Sequence, residues 1–150
     1  MEKDLLAYCG LFCGDCAGYT GDIASAAAEL ADSLDRYQFQ RTATVMFPEQ
    51  VGDYDALRGT LAFLTELKCP ATCRERSADD TDCQILACCV ERGFPACYQC
   101  DAFESCSKLA SLEALHGDSC IRNLRSIREM GLETWLAEGQ RFWFGSDAED

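Results

Sequence analysis

The sequence lacks features on which two common functional assignments depend. It has a single histidine, His116, and no Ser–His–acid pattern, so a hydrolase triad has no support. Basic residues are scarce, with 13 Lys and Arg against 26 Asp and Glu and a formal net charge of -13. Because such a charge repels phosphate backbones, we expect no nucleic-acid partner. We interpret His116 as a polar residue at a helix end rather than as a ligand.

A long hydrophobic run is also missing. No segment approaches the roughly 20 apolar residues that cross a bilayer, and residues 1–9 carry two acidic side chains with no apolar signal segment. We therefore expect a cytoplasmic protein without a membrane partner. In that compartment thiols stay reduced and act as metal ligands or redox groups, whereas a disulfide framework is the alternative for an oxidising compartment.

Cysteine, by contrast, is abundant, with 12 residues in a chain of 150. A chain of this length buries roughly 68–70% of its unfolded surface, so one domain over residues 1–150 has an ordinary core without cross-links. The hydrophobic fraction of 48% is also that of an ordinary globular protein. The cysteines therefore need a cause other than stability, and metal binding is the first candidate.

Apolar residues recur at helical spacing in several segments, which predicts a mainly α fold. One helix is predicted from Asp22 to Tyr37 and a second from Asp53, an N-cap residue. A shorter helix is predicted from a cap at Asp82 to a stop at Gly93. A last helical stretch is predicted from Asp118 to Gly139, interrupted at Gly131, whereas residues 42–47 suggest a short strand or extended loop.

The cysteines occur in closely spaced groups. Cys-x2-Cys pairs occur at Cys13 and Cys16 and at Cys97 and Cys100. Such spacing lets one tight turn present two thiolates to a single ion, and zinc prefers four of them in a tetrahedron. We predict a small helical domain whose irregular cysteine-rich loops bind metal through zinc-knuckle-like turns. The predicted metal ligands are Cys9, Cys13, Cys16, Cys69, Cys73, Cys83, Cys88, Cys97 and Cys100.

These ligands divide into two predicted centres. One contains Cys13 and Cys16, joined either by Cys9 or by Cys69 and Cys73, and the pairing stays open. The other contains four cysteines from the second half of the chain: Cys83, Cys88, Cys97 and Cys100.

Three cysteines stand apart from the predicted ligands. Cys89 lies on the apolar side of its helix and Cys120 lies alone in an amphipathic helix, so both are interpreted as buried packing residues. Cys106 stays undecided. The Cys-x3-Cys-x2-Cys spacing from Cys9 to Cys16 also occurs in radical-SAM enzymes, but that chemistry needs a partial β/α barrel longer than this chain. A simple iron–sulfur cluster held by four thiolates is the alternative to zinc.

The motifs resemble a prokaryotic family catalogued as Domain of Unknown Function 3795. Its opening motif is similar to residues 8–13, followed by Cys16 and Tyr19, and its cysteine-rich second half is similar to residues 83–109. The resemblance implies metal binding by the shared cysteines and implies no reaction. The chain departs from the family pattern at Cys73 and in the spacing from Cys100 to Cys106.

The function predicted from the sequence is a cysteine-ligated zinc protein without a catalytic set. It would present a surface or ligand to an unknown protein or small-molecule partner. The alternative is an iron–sulfur or thiol redox protein of anaerobic metabolism. The aromatic run Phe142, Trp143 and Phe144 is interpreted as packing on its own core, with an exposed interaction anchor as the alternative.

Overall fold

The computed structural model describes residues 2–145, with the side chain of Asp80 left out of the description. Over these residues the chain is mainly helical, as predicted, and has no β-strand; one isolated antiparallel bridge joins Leu6 and Phe12. No helix within this range is both long enough and apolar enough to cross a bilayer.

The chain divides into two compact units, which are described separately. One is Cys16–Pro70, called the inserted unit below, and the other combines Met1–Asp15 with Ala71–Asp150. The second is called the thiol unit because it contains ten of the 12 cysteines. The expectation of a single domain stays a prediction.

The inserted unit consists of helices joined by short turns. Its two longest helices bury small or branched apolar side chains, namely Ala24 and Ala27 on the first and Leu61 on the second. Arg58 links these two helices, since it donates to the carbonyl of Ala31 at 3.2 Å and to the carboxylate of Asp35 at 3.0 Å. The helices are α1 (Ala17–Thr20), α2 (Asp22–Arg36), α3 (Phe39–Met46), α4 (Pro48–Val51) and α5 (Tyr54–Thr65).

Asp53 caps α5, as its residue type and position predict. Its Oδ1 accepts a hydrogen bond from the backbone N–H of Ala56 at 3.0 Å, which satisfies one of the N–H groups that a helix start leaves without an intrahelical partner.

We expect Asp53→Ala to lower the free energy of unfolding by about 0.5–2 kcal/mol. Urea denaturation followed by circular dichroism measures this. Asp32→Ala, at an exposed position inside α2, is the control and should change stability by less than about 0.5 kcal/mol; equal losses for both variants would contradict a capping role.

The expectation of a strand or extended loop at residues 42–47 is wrong, because α3 occupies Phe39–Met46. Gln38 adopts a left-handed backbone conformation with φ 47°, which ends the preceding helical segment and lets a new helix begin one residue later. Ala43 is the buried residue of α3, whereas Val45 is 79% exposed. A short run of β-branched and apolar residues does not by itself distinguish a strand from one face of a short helix.

The thiol unit also consists of helices, joined by several single 3₁₀ turns. Its helices are α6 (Gln84–Arg92), α7 (Ser107–Ala110), α8 (Glu113–His116), α9 (Ser119–Met130) and α10 (Leu132–Glu138). The 3₁₀ segments are Glu2–Leu5, Cys13–Asp15, Ala78–Asp80, Cys97–Gln99 and Phe103–Ser105.

Glycine sets the ends of these helices as the sequence predicts. Gly93 ends α6 in the left-handed conformation with φ 67°, and Gly131 separates α9 from α10 with φ 84°. The predicted cap of α6 at Asp82 is wrong by one residue: Cys83 occupies the N-cap position in an extended conformation. The N-cap position of α9 is Asp118, as predicted.

Two apolar clusters form the core of the thiol unit. The first combines residues from the N-terminal segment, α6 and α9 with Phe103 and Leu109, and several cysteines pack in it or against it. The second surrounds Trp135, whose ring meets that of Phe12 edge to face at 6.3 Å between centroids. Because the first cluster contains most of the sulfur, it positions the candidate site.

Candidate functional site

Five cysteines line one small cavity in the thiol unit. Its volume is about 30 Å³, which is sufficient for one ion or small molecule. The lining cysteines are Cys88, Cys89, Cys97, Cys100 and Cys106. Of these, Cys97 and Cys89 are buried and the other three are half-buried. The remaining lining residues are apolar except for two basic side chains.

Successive 3₁₀-type turns explain why three of these cysteines share the cavity. The N–H of Cys100 donates to the carbonyl of Cys97 at 2.9 Å, that of Phe103 to Cys100 at 3.3 Å, and that of Cys106 to Phe103 at 3.2 Å. Each of these bonds closes one tight turn, and Cys97, Cys100, Phe103 and Cys106 all line the cavity, to which α6 contributes Cys88 and Cys89.

The charge around the cavity differs from that of the chain as a whole. The basic side chains in its lining are Arg92 and Lys108, and its lining includes no acidic residue, although acids outnumber bases two to one in the sequence. Positive charge next to thiols favours their ionised form, which is the form that binds metal and reacts with electrophiles. The cavity thus combines several soft donors with two positive charges in its lining.

Two of the lining sulfurs already contact each other. The Sγ atoms of Cys89 and Cys97 are 3.5 Å apart and buried. This hydrogen bond and burial raise the pKa of Cys97, whereas the same bond lowers the pKa of Cys89, with nearby Arg74 and Arg92 acting in the same direction. Cys97 is therefore the thiol that donates, and Cys89 is the neighbour with more thiolate character.

A second pair of cysteines belongs to the same apolar cluster: Cys120 lies in it and Cys9 packs against it. Interaction with the thiol of Cys120 and burial raise the pKa of Cys9, and interaction with Cys9 lowers the pKa of Cys120. The contact depends on Gly10, whose φ is 93° and where an added Cβ would lie 2.7 Å from the side chain of Leu124. Without a side chain at Gly10, the turn that carries Cys9 packs directly on α9, beside Cys120 near the start of that helix.

The predicted ligands do not all lie at the cavity. Cys88, Cys97 and Cys100 line it, as the second predicted centre requires, whereas the exposed Cys83 does not. Cys106, which the sequence left undecided, also lines the cavity, and the assignment of Cys83 as a ligand stays a prediction. The remaining predicted ligands fall into both units, with Cys9, Cys13 and Cys73 in the thiol unit and Cys16 and Cys69 in the inserted unit.

The described side chains do not form a complete metal-binding geometry. Among residues 2–145, no group of three or more His, Cys, Asp and Glu side chains is arranged so that it could hold an ion. What the cavity provides is the donor chemistry, namely thiols and compensating cations, with its sulfurs around one space.

Sequence reasoning missed part of the thiol arrangement. Cys89 and Cys120 are buried, as expected for packing residues, with exposed fractions of 1% and 3%. Each also has a thiol partner, which helical periodicity could not indicate because the partners are Cys97 and Cys9 in other segments. Cys106 lies six residues after Cys100, outside the Cys-x2-Cys pattern, and it reaches the cavity through two further tight turns that the spacing does not indicate.

A family model matches most of the chain. The model of the family described as "Protein of unknown function (DUF3795)" matches residues 5–111. The chain belongs to this family. No curated protein and no solved structure matches the chain. The range matched by DUF3795 contains the whole cavity lining and every cysteine except Cys120, so the Cys9–Cys120 pair is only partly inside it.

The aromatic run beyond the DUF3795 match packs mainly on the thiol unit itself. Asn123 donates to the carbonyl of Phe142 at 2.8 Å and accepts from its N–H at 2.9 Å, while Trp143 packs against the cysteine-containing cluster. His116 is at a helix end as predicted but is buried, with its Nδ1 donating to the carbonyl of Trp143 at 2.8 Å. Only Phe144 is largely exposed.

Proposed function

We propose that this member of DUF3795 is a non-catalytic metal-binding protein whose thiolate centre is the five-cysteine cavity. The observation that supports it is the convergence of five cysteines and two basic side chains on one space of about 30 Å³. The proposed ligands are Cys88, Cys97, Cys100 and Cys106, with zinc as the ion. Its role would be structural, holding a surface that meets a protein or small-molecule partner.

The donor set fits zinc in number and charge. Four thiolates satisfy a tetrahedral ion at about 2.3 Å each, which separates neighbouring sulfurs by about 3.8 Å. A divalent ion with four thiolates has a net charge of two minus, and Arg92 and Lys108 supply two compensating charges. In such a site the metal would supply cross-linking of α6 to the 3₁₀ segments, and thus folding energy.

Metal analysis of variants tests this proposal. We expect anaerobically purified wild-type protein to contain zinc in stoichiometric amount, and Cys100→Ser and Cys106→Ser each to retain less than about one tenth of the ion at the cavity after dialysis against a chelator. Cys83→Ser is the matched control, because Cys83 is exposed and outside the cavity, and it should retain the ion. Inductively coupled plasma mass spectrometry measures the metal.

Each outcome of that experiment supports or contradicts a particular ligand set or metal. Wild-type protein with neither zinc nor iron would contradict the proposal. Loss of metal from Cys83→Ser but not from Cys106→Ser would restore the ligand set expected from the sequence. Iron with absorbance near 400 nm would identify the alternative, an iron–sulfur protein using the same thiolates. The other centre predicted from the sequence, around Cys13 and Cys16, stays a prediction and would appear as a second equivalent retained by all three variants.

A further inference from the structure

The cavity contains one more thiol than a tetrahedral ion needs. With Cys88, Cys97, Cys100 and Cys106 assigned to the ion, Cys89 is the remaining sulfur, and it is 1% exposed. Its Sγ lies 3.5 Å from that of Cys97, whereas a disulfide bond is about 2.05 Å long. The two sulfurs therefore have to approach by about 1.5 Å to form the bond.

The backbone between the two cysteines keeps them facing each other. Cys89 lies in the last turn of α6, and the chain reverses through Gly93 in the left-handed conformation. The N–H of Phe94 then donates to the carbonyl of Cys89 at 2.9 Å, which fixes the reversal. Cys97 follows at the start of the 3₁₀ segment Cys97–Gln99. A disulfide between these residues closes a short loop that is already formed, so little chain rearrangement is needed.

We propose that Cys89 and Cys97 form a reversible disulfide on exposure to a hydroperoxide and that this modification releases the metal. The inference rests on the proposed metal-binding function, because Cys97 is both a metal ligand and the partner of Cys89. A sulfur in a disulfide no longer has the thiolate charge that binds zinc, so the disulfide and the complete ligand set exclude each other.

The reaction balances with the hydroperoxide as the oxidant. The sulfur of one cysteine attacks the outer peroxide oxygen, the O–O bond breaks, and the other oxygen leaves as an alcohol, or as water from hydrogen peroxide, with the thiol proton. The sulfenic acid that results is attacked by the second thiol, which forms the S–S bond and releases water. Starting from the zinc-bound protein, Cys89 gives up its proton, the bond from the Cys97 sulfur to the ion breaks, and the second proton that the products need comes from solvent. The two sulfurs together lose two electrons, and the peroxide bond is reduced.

The geometry of the cavity selects a small oxidant. Both sulfurs are buried, but the cavity that they line also reaches the half-buried Cys88, Cys100 and Cys106. Because both sulfurs are buried, a molecule the size of water or hydrogen peroxide reaches them more readily than a bulky disulfide reagent does. We therefore expect hydrogen peroxide to act faster than oxidised glutathione at equal concentration.

The experiment uses zinc-loaded full-length protein treated with hydrogen peroxide. Zinc release is followed with a chromogenic chelator, and the disulfide is mapped by mass spectrometry under non-reducing conditions. Trypsin cleavage after Arg92 places the two cysteines on separate peptides, residues 77–92 and 93–108, and fragmentation assigns the linked sulfurs. We expect one zinc released per Cys89–Cys97 disulfide, rebinding after dithiothreitol, and release at least about tenfold slower in Cys89→Ala.

Two controls separate the possible failures. Cys120→Ser removes the other thiol pair and should release zinc at the wild-type rate; slowing in this variant, or a mapped Cys9–Cys120 bond, would overturn the assignment. Reduced Cys89→Ala should bind zinc normally, and loss of zinc from it, with a normal circular dichroism spectrum, would make Cys89 a ligand and overturn the switch. Wild-type protein that never binds zinc would refute the proposed function, while disulfide mapping in that protein would still report on the pair.

Discussion

Replacing Trp135 by alanine is expected to lower the free energy of unfolding of the thiol unit by about 3–5 kcal/mol. The side chain is fully buried, and it packs with Leu6, Phe12, Ala96 and Ile127. Its removal leaves a cavity that these neighbours, which come from several separate segments, cannot fill by a simple shift. Urea denaturation followed by far-ultraviolet circular dichroism measures the loss, since the substitution removes one of the two tryptophans that report by fluorescence.

Trp135→Phe is the matched comparison. Within residues 2–145, the indole Nε1 of Trp135 is buried without a hydrogen-bond partner. Phenylalanine keeps most of the ring contact with Phe12 and removes this unpaired polar group, which offsets part of the lost apolar area. We expect it to reduce stability by less than half as much as alanine does. Equal losses for the two variants would show that the indole N–H finds a partner in solution.

Truncation after Gly139 is expected to lower the free energy of unfolding by about 2–5 kcal/mol. It removes both backbone partners of Asn123 and the carbonyl that accepts from His116, and both side chains are buried. It also removes the Trp143 ring, which meets the imidazole of His116 edge to face at 5.0 Å, and the Phe142 ring, which lies 3.5 Å from the Arg122 guanidinium.

A chain ending at Gly145 is the control for this truncation. It keeps every one of these contacts, so we expect its thermal unfolding midpoint to lie closer to that of the full chain than to that of the chain ending at Gly139. If the chain ending at Gly139 unfolds within about 0.5 kcal/mol of the full chain, the aromatic run contributes little to the core, and the interaction-anchor interpretation would be favoured. Differential scanning calorimetry of the three proteins in the same reducing buffer makes the comparison.

Much of the helical structure follows from local sequence signals. The boundaries at Asp53, Gly93 and Gly131 are set by a side-chain cap and by residues that tolerate positive φ, and these depend on a few neighbouring residues. The strand or extended loop expected at residues 42–47 was wrong because the apolar residues there also fit one face of a short helix, which begins after Gln38 adopts its left-handed conformation.

Part of the candidate site likewise follows from local sequence, and the rest depends on how distant segments pack. Cys97 and Cys100 share the cavity because of one local turn, which their spacing predicts. The position of Cys89 at the cavity depends on how α6 packs against that turn. The pairing of Cys9 with Cys120 depends on the close approach of Gly10 to α9. Neither contact leaves a pattern in the spacing of the cysteines.

The sequence by itself determined the class of this protein: an acidic, mainly helical chain of a cysteine-rich family, with thiol pairs set in tight turns. These properties depend on composition and on interactions within a few residues. Only the tertiary structure decided which thiols are neighbours, that Cys106 rather than Cys83 lines the cavity, and that Cys89 faces Cys97. Packing brings together residues that are distant in the chain, and the spacing of residues along a sequence does not contain that information.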